Sequence, residues 1–238
     1  MNFIKKISGL LHGVRNDAHN KSDASLRGTK QSIKIKVCGM KNPQNIKDLT
    51  ALNPDFIGFI FYEKSPRYCA NELDNLDFIP KNIKKIGVFV NENIDKILEF
   101  AKKYDLNGIQ LHGSESPDIC RQIKANNLLV IKAFSIAESA DFERTKDYEG
   151  VADYFLFDSP PTPKIKYGGT GIKFDWSILN DYQGNTPFLL SGGISVDDAK
   201  MIKKITHPHF FGIDINSKFE IEAGVKNVEL ICSFLKNM

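Results

Sequence analysis

The chain has 238 residues, of which 42% are hydrophobic, and a formal net charge of +3 at pH 7. This length and composition suffice for one domain with a substantial core, and the sequence contains no apolar run long enough for a transmembrane helix. The charge is uneven, because residues 1–31 hold six Lys or Arg against two Asp. The rest of the chain is nearly neutral, so a nucleic-acid-binding role has no electrostatic support there.

Residues 1–31 are expected to form a basic, disordered extension, because they are mostly polar and show neither a strand nor a helix period. The apolar patch near the start is interrupted by His12 and precedes no small-residue cleavage site, which argues against a secretory signal. The chain's cysteines are far apart and form no CxxC pair, which argues against a zinc site or a disulfide framework. We therefore expect a reducing compartment, the cytoplasm.

From residue 33 onward, short apolar runs alternate with helical patterns. The eight runs, in chain order, are IKIKV, DFIGFIFY, KKIGVFV, NGIQLH, LLVIKAF, DYFLFD, TPFLLSGG and HFFGIDI. The helical patterns are NPQNIKDLTAL, NENIDKILEFAKKY, SESPDICRQIKAN, SVDDAKMIKKI and VKNVELICSFLKN. This alternation predicts that residues 32–238 form a single (β/α)₈ TIM barrel with a parallel sheet. An open doubly wound sheet is the alternative, although no GxGxxG opens its first helix.

The first run, IKIKVCGM, alternates apolar residues with Lys34, Lys36 and Cys38. In a barrel, the apolar residues would face the helices and the other three would face the interior. Cys38 would then lie at the carboxyl end of the strand, where barrel enzymes place their chemistry. Lys36, one step deeper, is expected to bring its ammonium close to the thiol and to lower the pKa of Cys38. The alternative is that Lys36 pairs with an interior carboxylate and fills the barrel.

Asp158 ends the run DYFLFD on the face opposite to the two phenylalanines. A thiol and a carboxylate at two strand ends of one barrel would provide the acid and the base that an isomerase needs. Each residue also has a structural interpretation. Asp158 fits a turn or helix cap, and Cys38 fits a small core residue.

Glycine-rich loops near the end of the chain predict a phosphate site. In SGGIS, Gly192 and Gly193 follow a strand, and their backbone N–H groups could approach an anion at the start of a helix. The last strand continues into Asp214, Asn216 and Ser217. The loops after strands seven and eight are the recurrent phosphate site of these barrels.

Three further motifs carry polar groups. Arg67, in SPRY, can bind a substrate carboxylate through its planar guanidinium, and a surface salt bridge fits the spacing equally well. QLHG places Gln110 and His112 on one strand face, where the histidine fits a structural group better than a catalyst. YGGTG, at residues 167–171, is a third glycine-rich loop that would either donate N–H groups or flex.

These motifs occur in an order that resembles the phosphoribosylanthranilate isomerase family. The motifs are KVCGM, GFIFYEKSPRY, IGVFVN, QLHGSES, LFDS, YGGTGIKFDW, LLSGGI, GIDINSKFE and GVKN. The resemblance implies a (β/α)₈ barrel that converts N-(5-phosphoribosyl)anthranilate to 1-(2-carboxyphenylamino)-1-deoxyribulose 5-phosphate in tryptophan biosynthesis, without a metal or an organic cofactor. The family's catalytic cysteine and aspartate fall on Cys38 and Asp158, and its carboxylate-binding arginine falls on Arg67.

The resemblance also implies a small phosphorylated substrate, no nucleic-acid or membrane partner, and a monomer or homodimer. The expected substrate-binding residues are Arg67, Gln110, Gly192, Gly193, Asp214, Asn216 and Ser217. The family usually has D-x-S-S-G-x-E at the last strand, whereas this chain has Asn216 for a serine and Lys218 for the glycine. Two alternatives remain: a phosphate-binding barrel without catalysis, and another phosphosugar isomerase or epimerase. Arg67 favours a substrate that bears a carboxylate.

Overall fold

The computed structural model describes residues 32–160 and 173–238. Two sequence-based expectations lie outside these residues: the disorder of residues 1–31 and the role of the glycine-rich loop at residues 167–171.

Eight parallel strands form a closed barrel in chain order, because β1 pairs with β2 on one side and with β8 on the other. The closed sheet confirms the (β/α)₈ prediction and excludes the open doubly wound alternative. The strands are β1 Lys34–Cys38, β2 Phe56–Ile60, β3 Lys84–Phe89, β4 Gly108–Leu111, β5 Leu129–Ser135, β6 Tyr154–Asp158, β7 Phe188–Leu190 and β8 Phe210–Ile215.

Each of the five helical patterns in the sequence forms a helix. The α-helices in the described residues are α1 Pro43–Thr50, α2 Ile94–Lys103, α3 Pro117–Ala125, α4 Ala199–Ile202 and α5 Val228–Asn237. The 3₁₀ helices are Ser139–Tyr148, Trp176–Asp181, Val196–Asp198 and Ser217–Phe219. Turns, rather than a helix, connect β2 to β3. α1 begins as its sequence predicts, because the Asn42 side chain accepts a hydrogen bond from the Asn45 N–H and proline occupies the first helical position.

The strands bury apolar residues on both faces, as expected of a parallel sheet covered by helices. The outward faces pack against the helices, and Phe155 and Phe157 of β6 belong to this outer core. A smaller cluster fills the lower barrel interior: Phe56, Ile86, Ile131, Ala133, Leu156 and Leu189. In the described part of the chain, no helix combines the length and the apolar composition needed to cross a bilayer.

The upper barrel interior is polar, whereas the lower interior is apolar. Lys36, Gln110, Asp158 and Asp214 are all buried there, near the carboxyl ends of their strands. β8 is followed by two short antiparallel strands, β9 Glu220–Glu222 and β10 Val225–Lys226. The fold therefore concentrates its buried polar groups at the end of the barrel where the sequence predicts the site.

Barrel closure should depend on Gly212 of β8. A Cβ atom at this position would overlap the Lys34 carbonyl oxygen of β1, so a side chain would push the two closing strands apart. We expect Gly212→Ala to lower the free energy of unfolding by about 3 kcal/mol, the upper end of the usual range for overpacked cores, because the overlap is with backbone atoms. Urea denaturation measures this difference.

Gly150→Ala provides the control. Gly150 has a positive φ of 75° but no atom within 4 Å of an added Cβ, so only backbone strain of roughly 1 kcal/mol should appear. Equal losses for the two variants would contradict the role of Gly212 in closure.

Candidate active site

One cleft at the carboxyl ends of the strands brings together all nine residues that the sequence predicts for catalysis or substrate binding. Its empty volume is about 750 Å³, open solvent at the mouth included, which is large enough for a phosphosugar derivative. The nine residues that line it are Cys38, Arg67, Gln110, Asp158, Gly192, Gly193, Asp214, Asn216 and Ser217. Their placement is established, and their individual roles remain predictions.

A buried ion pair forms the floor of the cleft. Lys36 Nζ donates to Asp214 Oδ2 at 2.9 Å, and the two side chains are 0% and 5% exposed. Burial lowers the pKa of Lys36, but the charges of Asp214 and Cys38 and the hydrogen bonds to them together outweigh burial and raise this pKa above its ordinary value. Lys36 therefore carries a positive charge directly below the reacting end of the barrel.

Cys38 shares a small space with the Lys36 ammonium. Gly58 of β2 lies opposite Cys38, and a Cβ there would be 2.7 Å from Cys38 Sγ and 3.1 Å from Lys36 Nζ. Burial raises the pKa of the Cys38 thiol above its ordinary value, although the charge of Lys36 lowers it in part. Lys36 thus acts on the thiol in the expected direction, but the net pKa of Cys38 is not lowered, because desolvation of the thiolate exceeds the attraction of the ammonium. Both interpretations of Lys36 hold, since it pairs with a carboxylate and also lies beside the thiol.

Asp158 contacts His112, which the sequence favours as a structural group. His112 Nε2 is 3.3 Å from Asp158 Oδ2, and His112 Nδ1 is 2.9 Å from Gln110 Nε2. With the Gln110 amide donating to Nδ1, a neutral imidazole has its proton on Nε2, toward Asp158. Asp158 Oδ1 accepts a hydrogen bond from the Ser159 N–H at 2.8 Å. The carboxyl group is thus fixed in orientation from two sides.

Arg67 forms a salt bridge and lines the cleft. Its Nε and Nη2 atoms donate to the two Glu220 oxygens at 2.8 and 2.7 Å. The other edge of the guanidinium, with Nη1 and the second Nη2 proton, is the edge available to a substrate carboxylate. Glu220 also accepts a hydrogen bond from Lys226 Nζ at 2.6 Å. No role could be predicted for Glu220 or Lys226, because they lie on two strands, β9 and β10, that are too short to show a period.

The predicted phosphate end has the backbone conformation that glycine permits. Gly192 and Gly193 have φ values of 86° and 64°, and a Cβ on Gly192 would overlap the Ser159 hydroxyl. The helix N-terminus predicted beside this loop offers less attraction for an anion than expected. The helix α4 has only four residues, and Asp198 Oδ2 already accepts hydrogen bonds from the N–H and the hydroxyl of Ser195. An anion here would therefore depend on the loop N–H groups.

Lys218 occupies the rim of the same cleft, where the family usually has a glycine. It is exposed and lines the cleft, and it has no hydrogen-bond or ion-pair partner in residues 32–160 and 173–238. Its φ is not positive, so a lysine fits this turn without backbone strain. In the described residues, no three His, Cys, Asp or Glu side chains are grouped so that they could hold a metal ion.

Comparison with known sequences gives a consistent result. A sequence profile of the family described as N-(5'phosphoribosyl)anthranilate (PRA) isomerase matches residues 35–237. A relative named N-(5'-phosphoribosyl)anthranilate isomerase, from Parabacteroides distasonis, is 49% identical over 207 residues, covering 86% of this chain and 92% of the relative. A relative of the same name from Phocaeicola vulgatus is 43% identical over 204 residues, covering 86% and 97%.

Solved structures of the same name share the fold. The crystal structure of phosphoribosyl anthranilate isomerase from Thermotoga maritima superimposes with a TM-score of 0.73 at 33% identity, covering 86% of this chain and 98% of that one. A crystal structure of the isomerase in complex with reduced 1-(o-carboxyphenylamino)-1-deoxyribulose 5-phosphate gives a TM-score of 0.69 at 31% identity, covering 86% and 97%.

Removing the Lys36 charge should change the titration of Cys38. Because the ammonium lowers the pKa of the thiol against the effect of burial, Lys36→Met should raise that pKa further. The pH dependence of Cys38 alkylation by iodoacetamide, read by peptide mass spectrometry, measures the shift.

Lys34→Met is the matched control. Lys34 lies two residues deeper on β1 and pairs with Asp55 at 2.9 Å, far enough from the thiol to leave its titration unchanged. If Lys36→Met only lowered the melting temperature while the thiol titrated as in the wild type, Lys36 would be a structural residue alone.

Proposed function

Because the chain belongs to the N-(5'-phosphoribosyl)anthranilate isomerase family, we propose that its cleft catalyses the Amadori rearrangement of N-(5-phosphoribosyl)anthranilate, with Asp158 as the acid and Cys38 as the base. The protein is an isomerase of tryptophan biosynthesis that acts on a small phosphorylated substrate. The residue assignment rests on one observation. A thiol and a carboxyl group lie in the same cleft as a glycine loop and an arginine.

The proposed reaction needs only proton transfers. Asp158 donates a proton to the ring oxygen as the bond from that oxygen to C1 breaks, and the amine nitrogen forms an iminium bond to C1. Cys38 then removes the proton from C2, and its bonding electrons form the C1–C2 double bond of an enolamine while the iminium nitrogen regains its electron pair. Protonation at C1 and loss of the hydroxyl proton at C2 give the ketone. The substrate nitrogen accepts the electrons, so the proposed route requires no cofactor.

The raised thiol pKa is consistent with this order of steps. Burial disfavours the Cys38 thiolate, so Cys38 holds its proton more firmly than a free cysteine until another positive charge comes near it. Ring opening supplies that charge as the iminium ion, next to the carbon that loses its proton. Together with Lys36, the iminium ion would favour release of the thiol proton to solvent through the cleft, and the thiolate that remains would then take the C2 proton.

Asp214 offers a contact for the sugar. Its Oδ2 accepts from Lys36, whereas its Oδ1 is buried and has no hydrogen-bond partner in the described residues. A buried acceptor without a donor costs free energy, and a substrate hydroxyl would supply the missing donor. Asp214 lines the cleft, which supports its assignment to substrate binding.

The substrate would lie across the cleft with its two anionic groups apart. The loop of Gly192 and Gly193, together with Asn216 and Ser217, would hold the phosphate, and the open edge of Arg67 would hold the anthranilate carboxylate. Gln110 would contribute by orienting the imidazole beside the acid.

The remaining proposals concern the setting of the enzyme. The four cysteines in the described residues are all free, which supports a reducing compartment, the cytoplasm. A solved relative from Thermotoga maritima is described as a monomer generated from a dimeric isomerase. For this chain we propose a monomer or homodimer without nucleic-acid or membrane partners, in which residues 32–238 suffice for activity.

Loss of either proposed proton-transfer group should abolish most turnover. Asp158→Asn keeps the shape of the acid but removes its transferable proton, and Cys38→Ser replaces the base with a hydroxyl. Each variant should lower kcat by at least ~10²-fold, the usual scale for general acid–base catalysis. The change in anthranilate fluorescence during conversion of the phosphoribosyl substrate measures the rate.

Two substitutions of the same chemical type serve as controls. Asp153→Asn changes a carboxyl group that precedes β6, at the opposite end of the strand from Asp158, and Cys232→Ser changes a cysteine of α5. Both should retain turnover. Wild-type kcat in purified Asp158→Asn or Cys38→Ser would refute the corresponding assignment.

The two anion sites should respond separately to mutation. Arg67→Ala should weaken inhibition by anthranilate by about tenfold or more, the scale of a lost charged hydrogen bond, and leave inhibition by inorganic phosphate nearly unchanged. Gly193→Asp should have the opposite pattern, because it adds a side chain and a negative charge at the proposed phosphate site. Inhibition constants for both anions are the measurement. If Arg67→Ala weakened inhibition by phosphate more than inhibition by anthranilate, Arg67 would belong to the phosphate site.

A further inference from the structure

We propose that Lys226, which lies outside the cleft, is a positioning residue that orients both anion-binding ends of the substrate site and keeps the Arg67 end positively charged. This inference rests on the proposed function, because it concerns how that site holds its substrate.

Lys226 is completely buried and reaches two groups that line or support the cleft. Its Nζ donates to Asn216 Oδ1 at 2.7 Å and to Glu220 Oε1 at 2.6 Å. Asn216 belongs to the proposed phosphate end, and Glu220 holds Arg67 of the proposed carboxylate end. One ammonium group therefore connects the two ends of the site.

The charge of Lys226 changes what Arg67 can bind. Arg67 and Glu220 form a bidentate pair whose charges cancel, and such a pair has little attraction for a carboxylate. With Lys226 on the same Glu220, the cluster of two cations and one anion has a net charge of +1. The exposed edge of Arg67 thus keeps the positive charge that a benzoate group requires.

Lys226 also determines which way the Asn216 amide faces. Because Oδ1 accepts from Lys226, the two N–H donors of the amide lie on the opposite side of the group. Gly39, with a φ of 77°, leaves room for this arrangement, since a Cβ there would be 2.8 Å from both Asn216 Oδ1 and Arg67 Cδ. The glycine, the amide and the arginine side chain therefore meet at one point beside Lys226.

Burying an ammonium group in this space costs more free energy than filling it with an apolar side chain. Burial lowers the pKa of Lys226 to about 8, and well-packed apolar residues in place of buried ion pairs are often neutral or stabilising. The backbone of Lys226 has its own bonds to Asn45, which hold β10 in place without the ammonium. The ammonium therefore contributes more to the arrangement of Asn216 and Glu220 than to the pairing of β9 with β10.

The test compares Lys226→Met with Lys132→Met. Lys132 is also buried and pairs with Glu115 at 3.2 Å, but it lies on the helix-facing side of β5, away from the cleft. Lys226→Met should raise KM about tenfold or more with a much smaller change in kcat, and it should weaken competitive inhibition by both anthranilate and inorganic phosphate. Lys132→Met should lower the melting temperature and leave both inhibition constants unchanged.

Lys226→Gln separates charge from orientation and serves if the Met variant does not fold. An amide can still donate to Asn216 and Glu220 but carries no charge, so anthranilate inhibition should weaken as in Lys226→Met while phosphate inhibition weakens less. Wild-type inhibition constants in either folded variant would overturn the inference. A wild-type enzyme that fails to turn over the phosphoribosyl substrate would instead overturn the proposed function, so the two failures are distinguishable.

Discussion

The active end of this barrel depends on the buried ion pair between Lys36 and Asp214. The two residues lie on β1 and β8, the strands whose pairing closes the sheet, and they are directly opposite each other in register. Breaking such a pair by removing one partner leaves a buried charge and costs about 3–5 kcal/mol. The same contact that supports closure therefore fixes a cation beneath Cys38 and leaves Asp214 Oδ1 without a hydrogen-bond partner in the described residues.

This arrangement explains why the barrel interior is divided into two parts. The lower part is filled by apolar side chains and supplies packing, whereas the upper part concentrates buried charges that only paired partners can offset. The high thiol pKa is a consequence of that burial and not a defect of the site. In the enclosed cleft, a further positive charge close to Cys38 would stabilise the thiolate more than it would in water.

Much of this could be predicted from the sequence because the strand period is local. Alternation in IKIKVC placed Lys36 and Cys38 on one interior face, and the end of DYFLFD placed Asp158 at the same rim. Contacts between distant segments could not be predicted in this way. Arg67 meets Glu220 across 153 positions of the chain, and His112, after β4, meets Asp158 of β6 across the intervening strand β5, so only the closed barrel shows these partners.

Two features differ from expectation for physical reasons that no sequence pattern contains. The thiol pKa depends on how completely water is excluded, and the short α4 depends on how Asp198 caps the preceding turn. The family resemblance identified the proposed acid and base, but the cluster of Arg67, Glu220 and Lys226 became visible only as a set of distances.

Residues 32–238 should by themselves form an active phosphoribosylanthranilate isomerase. The most direct measurement is growth of a tryptophan auxotroph that lacks this isomerase and expresses residues 32–238 behind an added methionine. Isomerase activity of residues 32–238 predicts growth without tryptophan, which would also show that residues 1–31 are dispensable. Absence of growth, with soluble and folded protein present in the cells and the full-length chain equally inactive, would contradict it.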